Sequence, residues 1–144
     1  MEQQTTKVLV VDDNPEIRDI IHVLLEGEGI RVTEAADGSS ALHFLEKGSF
    51  DLIILDIMMP GMDGFGVLEY MNRNNLIGDI PVIMISGEDS GEVIKQAYEW
   101  GVSDYIKRPF DMEVVHRRVL NTIKLYAKQR RLVAMVTNQV FEKE

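Results

Sequence analysis

DLIILDIMMPGMDG, Asp51 to Gly64, begins with four consecutive branched apolar side chains, Leu52-Ile53-Ile54-Leu55. A run this short and this continuous suits a strand buried on both faces, as in a parallel sheet. It stops at Asp56, which places that carboxylate at the strand's carboxyl end. Pro60-Gly61 marks a turn, and Asp63-Gly64 reads as the start of a helix. In open parallel sheets, ligands bind beyond the carboxyl ends of the strands where the strand order reverses. Asp56 falls at such a place.

The same pattern repeats on either side of this stretch. Lys7 to Val11 reads as a first buried strand ending at Asp12-Asp13. Asn14 is a good N-cap and Pro15 suits the first helical position. Ile17, Ile20, Ile21, Leu24 and Leu25 form one apolar stripe, and Gly27 and Gly29 stop that helix. Ile30 to Ala35 is a more polar second strand, expected near an edge. A turn at Asp37-Gly38-Ser39 leads into a helix with Ala41, Leu42, Phe44 and Leu45, closed by Gly48. After the central strand, Asp63 caps a helix carrying Phe65, Val67, Leu68 and Met71. An Asn-rich turn from Asn72 to Gly78 precedes Pro81 to Ile85, a fourth strand ending at Ser86. Ser90 caps a helix with Val93, Ile94, Ala97, Tyr98 and Trp100, ended by Gly101. Val102 to Lys107 is a short fifth strand, and Asp111 caps a last helix with Val115, Val119, Leu120, Ile123 and Tyr126.

Strand and helix thus alternate five times. The pattern predicts an α/β fold: a five-stranded parallel sheet with helices on both faces and right-handed crossovers. Five units fit the flavodoxin-like order 2-1-3-4-5, which makes strands 1 and 3 neighbours. Asp12, Asp13 and Asp56 then converge.

The 144 residues fit one domain. A net charge of -9 argues against nucleic acid or an anionic membrane as the direct partner. There are no cysteines, which removes disulfides and thiol chemistry. Met1-Glu2-Gln3-Gln4 has no signal-peptide character, and no apolar run reaches the roughly 18 residues of a membrane span. A cytoplasmic protein is the expectation.

Three carboxylates in one place repel each other unless a cation is present. All-oxygen ligands favour Mg²⁺ or Mn²⁺. A carboxylate beside such an ion can attack phosphorus and form an aspartyl phosphate. That chemistry also requires a hydroxyl and a cation at neighbouring strand ends. Ser86 supplies the first, and Lys107 or Arg108 the second.

Four motifs in order, VLVVDDNP, DLIILDIMMPGMDG, PVIMISG and SDYIKRPF, resemble the receiver domain of two-component response regulators over Lys7 to about Tyr126. The resemblance implies that Asp56 is the phosphoacceptor, that Asp13 binds Mg²⁺ directly and that Asp12 acts largely through water. It implies that the backbone carbonyl of Met58 completes the metal site. Ser86 matches the switch hydroxyl, Tyr105 the switch aromatic, and Pro109 a proline usually preceded by a cis bond. The family's lysine stands directly before that proline, and here the residue is Arg108. Lys107 comes one place early, and side chains alternate along a strand, so Arg108 is the expected cation. His22, His43 and His116 lie on helical segments and are read as surface or core residues. Met59 and Met62 are read as loop packing, and the basic run Lys124 to Arg131 as a solvated helix face.

The resemblance implies a phosphorylation-controlled signalling module. Its donor would be a histidine kinase or phosphotransfer protein. Its output would be the face built from the fourth helix, fifth strand and fifth helix. Two alternatives are a phosphorylation-independent interaction or dimerisation module, which Arg108 favours, and a Mg²⁺-dependent phosphohydrolase. The receiver is expected over residues 1–126 and a helical extension over 127–144. Ala127 to Val140 holds no Gly or Pro, and Leu132, Val133, Val136 and Val140 keep a 3–4 spacing. The last helix is therefore expected to continue as an amphipathic stalk that pairs in a parallel homodimer. The roughly 18 residues after the body are too few for an output domain, which is expected of either a stand-alone receiver or, as the stalk favours, a fragment of a longer protein.

Overall fold

The computed structural model describes residues 5–27, 29–87 and 90–142, with side chains described through residue 138. The expectations for Met1 to Gln4 and for the Val140 side chain lie outside the described residues. Five strands, β1 (Thr6–Val11), β2 (Ile30–Ala35), β3 (Leu52–Leu55), β4 (Val82–Ser86) and β5 (Asp104–Lys107), alternate with five helices. These are α1 (Pro15–Leu25), α2 (Gly38–Lys47), α3 (Gly64–Arg73), α4 (Gly91–Glu99) and α5 (Met112–Glu142). The strands form one parallel sheet in the order β2-β1-β3-β4-β5, so the more polar β2 is an edge strand.

The continuous apolar runs are explained by two cores, one on each face. Leu9, Val11, Ile53, Leu55, Val82 and Met84 point to the side covered by α2, α3 and α4. Val8, Val10, Leu52, Ile54, Ile83 and Ile85 alternate with them and pack with Ile21 and Leu25 of α1 and Val115 and Val119 of α5. Both sets are essentially excluded from solvent. Each such side chain contributes about 1.5–3 kcal/mol relative to an exposed position.

Four of the five helix starts are fixed by side-chain caps that the sequence offers. The Asn14 side chain accepts from the Glu16 and Ile17 amides, Asp37 from Ser40, and Asp63 from Gly66. Asp111 accepts from Glu113 and Val114. Gly27 and Gly29 both take positive φ after α1, where a side chain would be strained.

Three details differ from the sequence reading. Helix α3 runs to Arg73, so Asn72 belongs to it; its side chain donates to the carbonyls of Leu68 and Trp100. Strand β5 begins at Asp104 and not at Val102. Ile20 and Tyr98, assigned to apolar stripes, are exposed: each lies at the rim of its helix, beyond the reach of the sheet.

Helix α5 is one continuous helix of 31 residues. Its outer part is anchored at the amino-terminal edge of the sheet. Tyr126 Oη lies 3.0 Å from Ser103 Oγ. Arg130 donates to Asp51 Oδ1 at 3.3 Å and to the Asp79 carbonyl at 3.1 Å. Arg130 thus departs from the expected solvated basic run. Residues 131–138 are exposed throughout.

Candidate functional site

Asp12 directly follows β1 and Asp56 directly follows β3. The two strands are paired with Val11 opposite Leu55, and the Asp56 amide donates to the Val11 carbonyl. The next residue on each strand is therefore brought side by side. One carboxylate oxygen from each of Asp12, Asp13 and Asp56 lies within 4.8 Å of the others. Among the described residues, the buried polar or charged ones are Asp12, Asp56 and Ser86, and all three stand at carboxyl ends of strands. Burying such groups is costly without partners, so their concentration at one end of the sheet marks this pocket.

Burial and the Asp12 carboxylate push Asp56 up to about 6, against the lowering influence of Arg108 and the Met58 amide. Burial likewise raises Asp12, opposed by the Asn14 amide and by Arg108. The Asn14 amide donates to Asp12 Oδ1 at 2.9 Å, and Arg108 Nη2 makes an ion pair with Asp12 Oδ2. The same nitrogen is 3.7 Å from Asp56 Oδ2.

Arg108 is thus the cation in the pocket, while Lys107, one residue earlier, is exposed. The Arg108 amide donates to the Ser86 carbonyl at 2.9 Å, which extends the β4–β5 ladder by one step. The Arg108–Pro109 peptide bond is cis. The Nε–H of Arg108 is buried and has no hydrogen-bond partner among the described residues. An orphaned donor of this kind costs about 1–3 kcal/mol.

Tyr105 lies in β5 opposite Met84 and is buried. The Met58 side chain is exposed, whereas Met59 is buried. The Met62 side chain fills the space beside Gly38 of α2 and Gly66 of α3, where an added Cβ would fall within 3 Å of it. Those two methionines are loop packing, as read from the sequence. Gly64 is the tightest point: a Cβ there would sit 2.5 Å from the Asp56 carbonyl oxygen. This close approach seats α3 directly against the strand end that carries Asp56.

Among the described residues, no histidine joins the cluster of Asp12, Asp13 and Asp56. His22 is partly exposed, with ring nitrogens 2.7 Å from Glu34 and 3.3 Å from Glu26. Sequence reasoning also passed over Arg18, which donates to the Asp12 carbonyl at 2.7 Å. Its only signal was its place one turn after the Asn14 cap.

The donor set suits a hard divalent cation: all carboxylate oxygens, with Asp13 exposed at the mouth of the pocket. Among the described residues, no helix is long and apolar enough to cross a membrane.

The family model for the response regulator receiver domain matches residues 8–120, and the chain belongs to that family. It is 34% identical over 140 residues to the regulatory protein VanRc of Enterococcus gallinarum, covering 96% of this chain and 58% of that protein. It is 36% identical over 114 residues to the chemotaxis protein CheY of Pseudomonas aeruginosa, covering 78% of this chain and 92% of CheY. The receiver domain of the Francisella response regulator 1452 superposes with a TM-score of 0.77 at 35% identity, covering 83% of this chain and 98% of that one. The chain also spans only 57% of the phosphate regulon regulator PhoB of Escherichia coli. It therefore covers little more than half the length of such curated relatives.

Proposed function

We propose that this chain is the phosphoacceptor module of a two-component response regulator, and that Asp56 accepts the phosphoryl group. The observation that carries this reading is the convergence of Asp12, Asp13, Asp56 and Arg108 at the switch point of the sheet. A carboxylate oxygen of Asp56 attacks phosphorus and forms the acyl phosphate. The bond from phosphorus to the donor breaks, and the leaving group of a phosphohistidine or of acetyl phosphate departs with its electron pair. Asp12 and Asp13, with Asp56, would hold Mg²⁺ or Mn²⁺, and the Met58 carbonyl is proposed to complete that set. When bound, the ion would neutralise charge building on the transferring group. Arg108 supplies a second positive charge, and its planar fork suits phosphoryl oxygens in pairs.

Ser86 is the proposed switch hydroxyl and Tyr105 the proposed switch aromatic. Phosphorylation would bias the α4–β5–α5 face between two arrangements, which requires a differential of a few kcal/mol. A histidine kinase or phosphotransfer protein is the proposed donor. The receiver body is assigned to residues 1–126 and the extension to 127–144, as a helical link to a dimer partner or an output domain. The setting is cytoplasmic.

Incubation with acetyl phosphate and Mg²⁺, followed by intact mass, tests the reading. One added phosphoryl group, absent from Asp56→Asn, is the expected result. No addition to a folded protein would leave the phosphorylation-independent interaction module.

A further inference from the structure

The Asp12 carbonyl belongs to the peptide unit that joins Asp12 to Asp13. Its plane sets the directions in which two of the three pocket carboxylates leave the backbone. On the β2 side, the regular ladder is exhausted at this point: the Asp12 amide donates to the Ala35 carbonyl at 3.2 Å, and β2 ends at Ala35. The donor for the Asp12 carbonyl comes from α1 instead, as Arg18 Nη1 at 2.7 Å.

Arg18 is itself held. Its Nε donates to Glu34 Oε1 at 3.2 Å, and the other Glu34 oxygen lies 2.7 Å from His22 Nδ1. His22 Nε2 lies 3.3 Å from Glu26 Oε2, which accepts the Val32 amide at 2.7 Å. Glu34 stands opposite Val10, two residues before Asp12, in the β1–β2 register. The Arg18 side chain is only 17% exposed. A guanidinium can serve two acceptors in fixed directions at once, which an ammonium on a flexible stem does poorly.

We propose that Arg18 is a positioning residue for the acidic pair: it fixes the Asp12–Asp13 peptide, and Glu34 and His22 hold Arg18 in place. This rests on the pocket being a divalent-cation and phosphoryl centre, and extends it to α1 and β2. Arg18 acts through the backbone and touches none of the reacting atoms.

The test uses the full chain. Mn²⁺ binding is followed by the electron paramagnetic resonance of the free ion for wild type, Arg18→Gln and Arg18→Lys, beside urea unfolding of each. The metal-free proteins are compared by NMR at the Asp12 carbonyl carbon and the Asp13 amide. Arg18→Gln is expected to weaken Mn²⁺ binding about tenfold, the scale of one charge-assisted hydrogen bond, and to shift both resonances. Arg18→Lys recovers only part of the affinity. Unchanged Mn²⁺ affinity in Arg18→Gln would overturn the proposal. If wild type binds no Mn²⁺, the metal reading fails separately and the NMR comparison decides. Unmoved Asp12 and Asp13 resonances in Arg18→Gln then overturn the positioning role. Should Arg18→Gln not fold, Arg18→Lys decides by the same two readouts, wild-type values in both counting against it.

Discussion

Asp56 sits where burial and a neighbouring carboxylate both oppose its ionisation, which pushes it up to about 6. The native state therefore favours the protonated acid. Its contribution to stability is full below about pH 4 and is lost as pH rises through about 6. In the metal-free protein, Asp56→Asn removes that cost. Urea unfolding should find the variant more stable at pH 7 by up to roughly 3 kcal/mol, with the gap closing toward pH 4. A gap that is the same at both pH values would contradict the burial argument. Arg108 neutralises Asp12 by direct pairing, so an incoming cation meets a resident one. Arg108→Ala is expected to tighten Mn²⁺ binding about tenfold, the scale of one charge-assisted contact, while slowing phosphorylation by acetyl phosphate. Both are read by titration and by the rate of mass gain. Slower phosphorylation together with weaker Mn²⁺ binding would show that Arg108 supports the metal and does not compete with it.

Elements bring these residues together through close backbone approaches. Gly64 lets the first turn of α3 rest on the Asp56 carbonyl, at a distance no Cβ tolerates. Gly64→Ala must shift backbone, since the Asp56 oxygen and the Ile57 Cα stand in the way, and a cost of about 1–3 kcal/mol is expected. Thermal or urea unfolding reads it, and an unchanged midpoint would show that α3 is free to slide. Much of this level was legible in the sequence. The runs Val8 to Val11, Leu52 to Leu55 and Val82 to Ile85 have no alternation because both faces of the sheet are covered, and each run is followed by a buried polar side chain, Asp12, Asp56 or Ser86. What could not be read joins elements distant in sequence. Arg18, Glu34 and His22 meet because α1 folds back over the β1–β2 pair. Arg130 finds Asp51 across 79 residues of chain. Neither contact leaves a period or a spacing. The exposure of Tyr98 likewise depends on how far α4 overhangs the sheet, which helical periodicity alone does not report.

At the scale of the whole molecule, the pocket and the stalk occupy opposite edges of one sheet. The stalk leaves the body beyond the Arg130 anchor. Leu132 and Val136 are exposed along it, four residues apart, as in a two-stranded seam. Sedimentation of the full chain should give a dimer that Leu132→Glu with Val136→Glu reduces to a monomer. A wild-type monomer, or a dimer that survives both substitutions, would place the association elsewhere. The proposed chemistry is confined to a single carboxylate, Asp56, which takes the phosphoryl group. Borohydride reduction of the chain treated with acetyl phosphate and Mg²⁺, followed by peptide mapping, tests it most directly. Homoserine at position 56 and at no other aspartate is the predicted result. Homoserine at position 12 or 13, or none in a protein that folds and binds Mg²⁺, would contradict it.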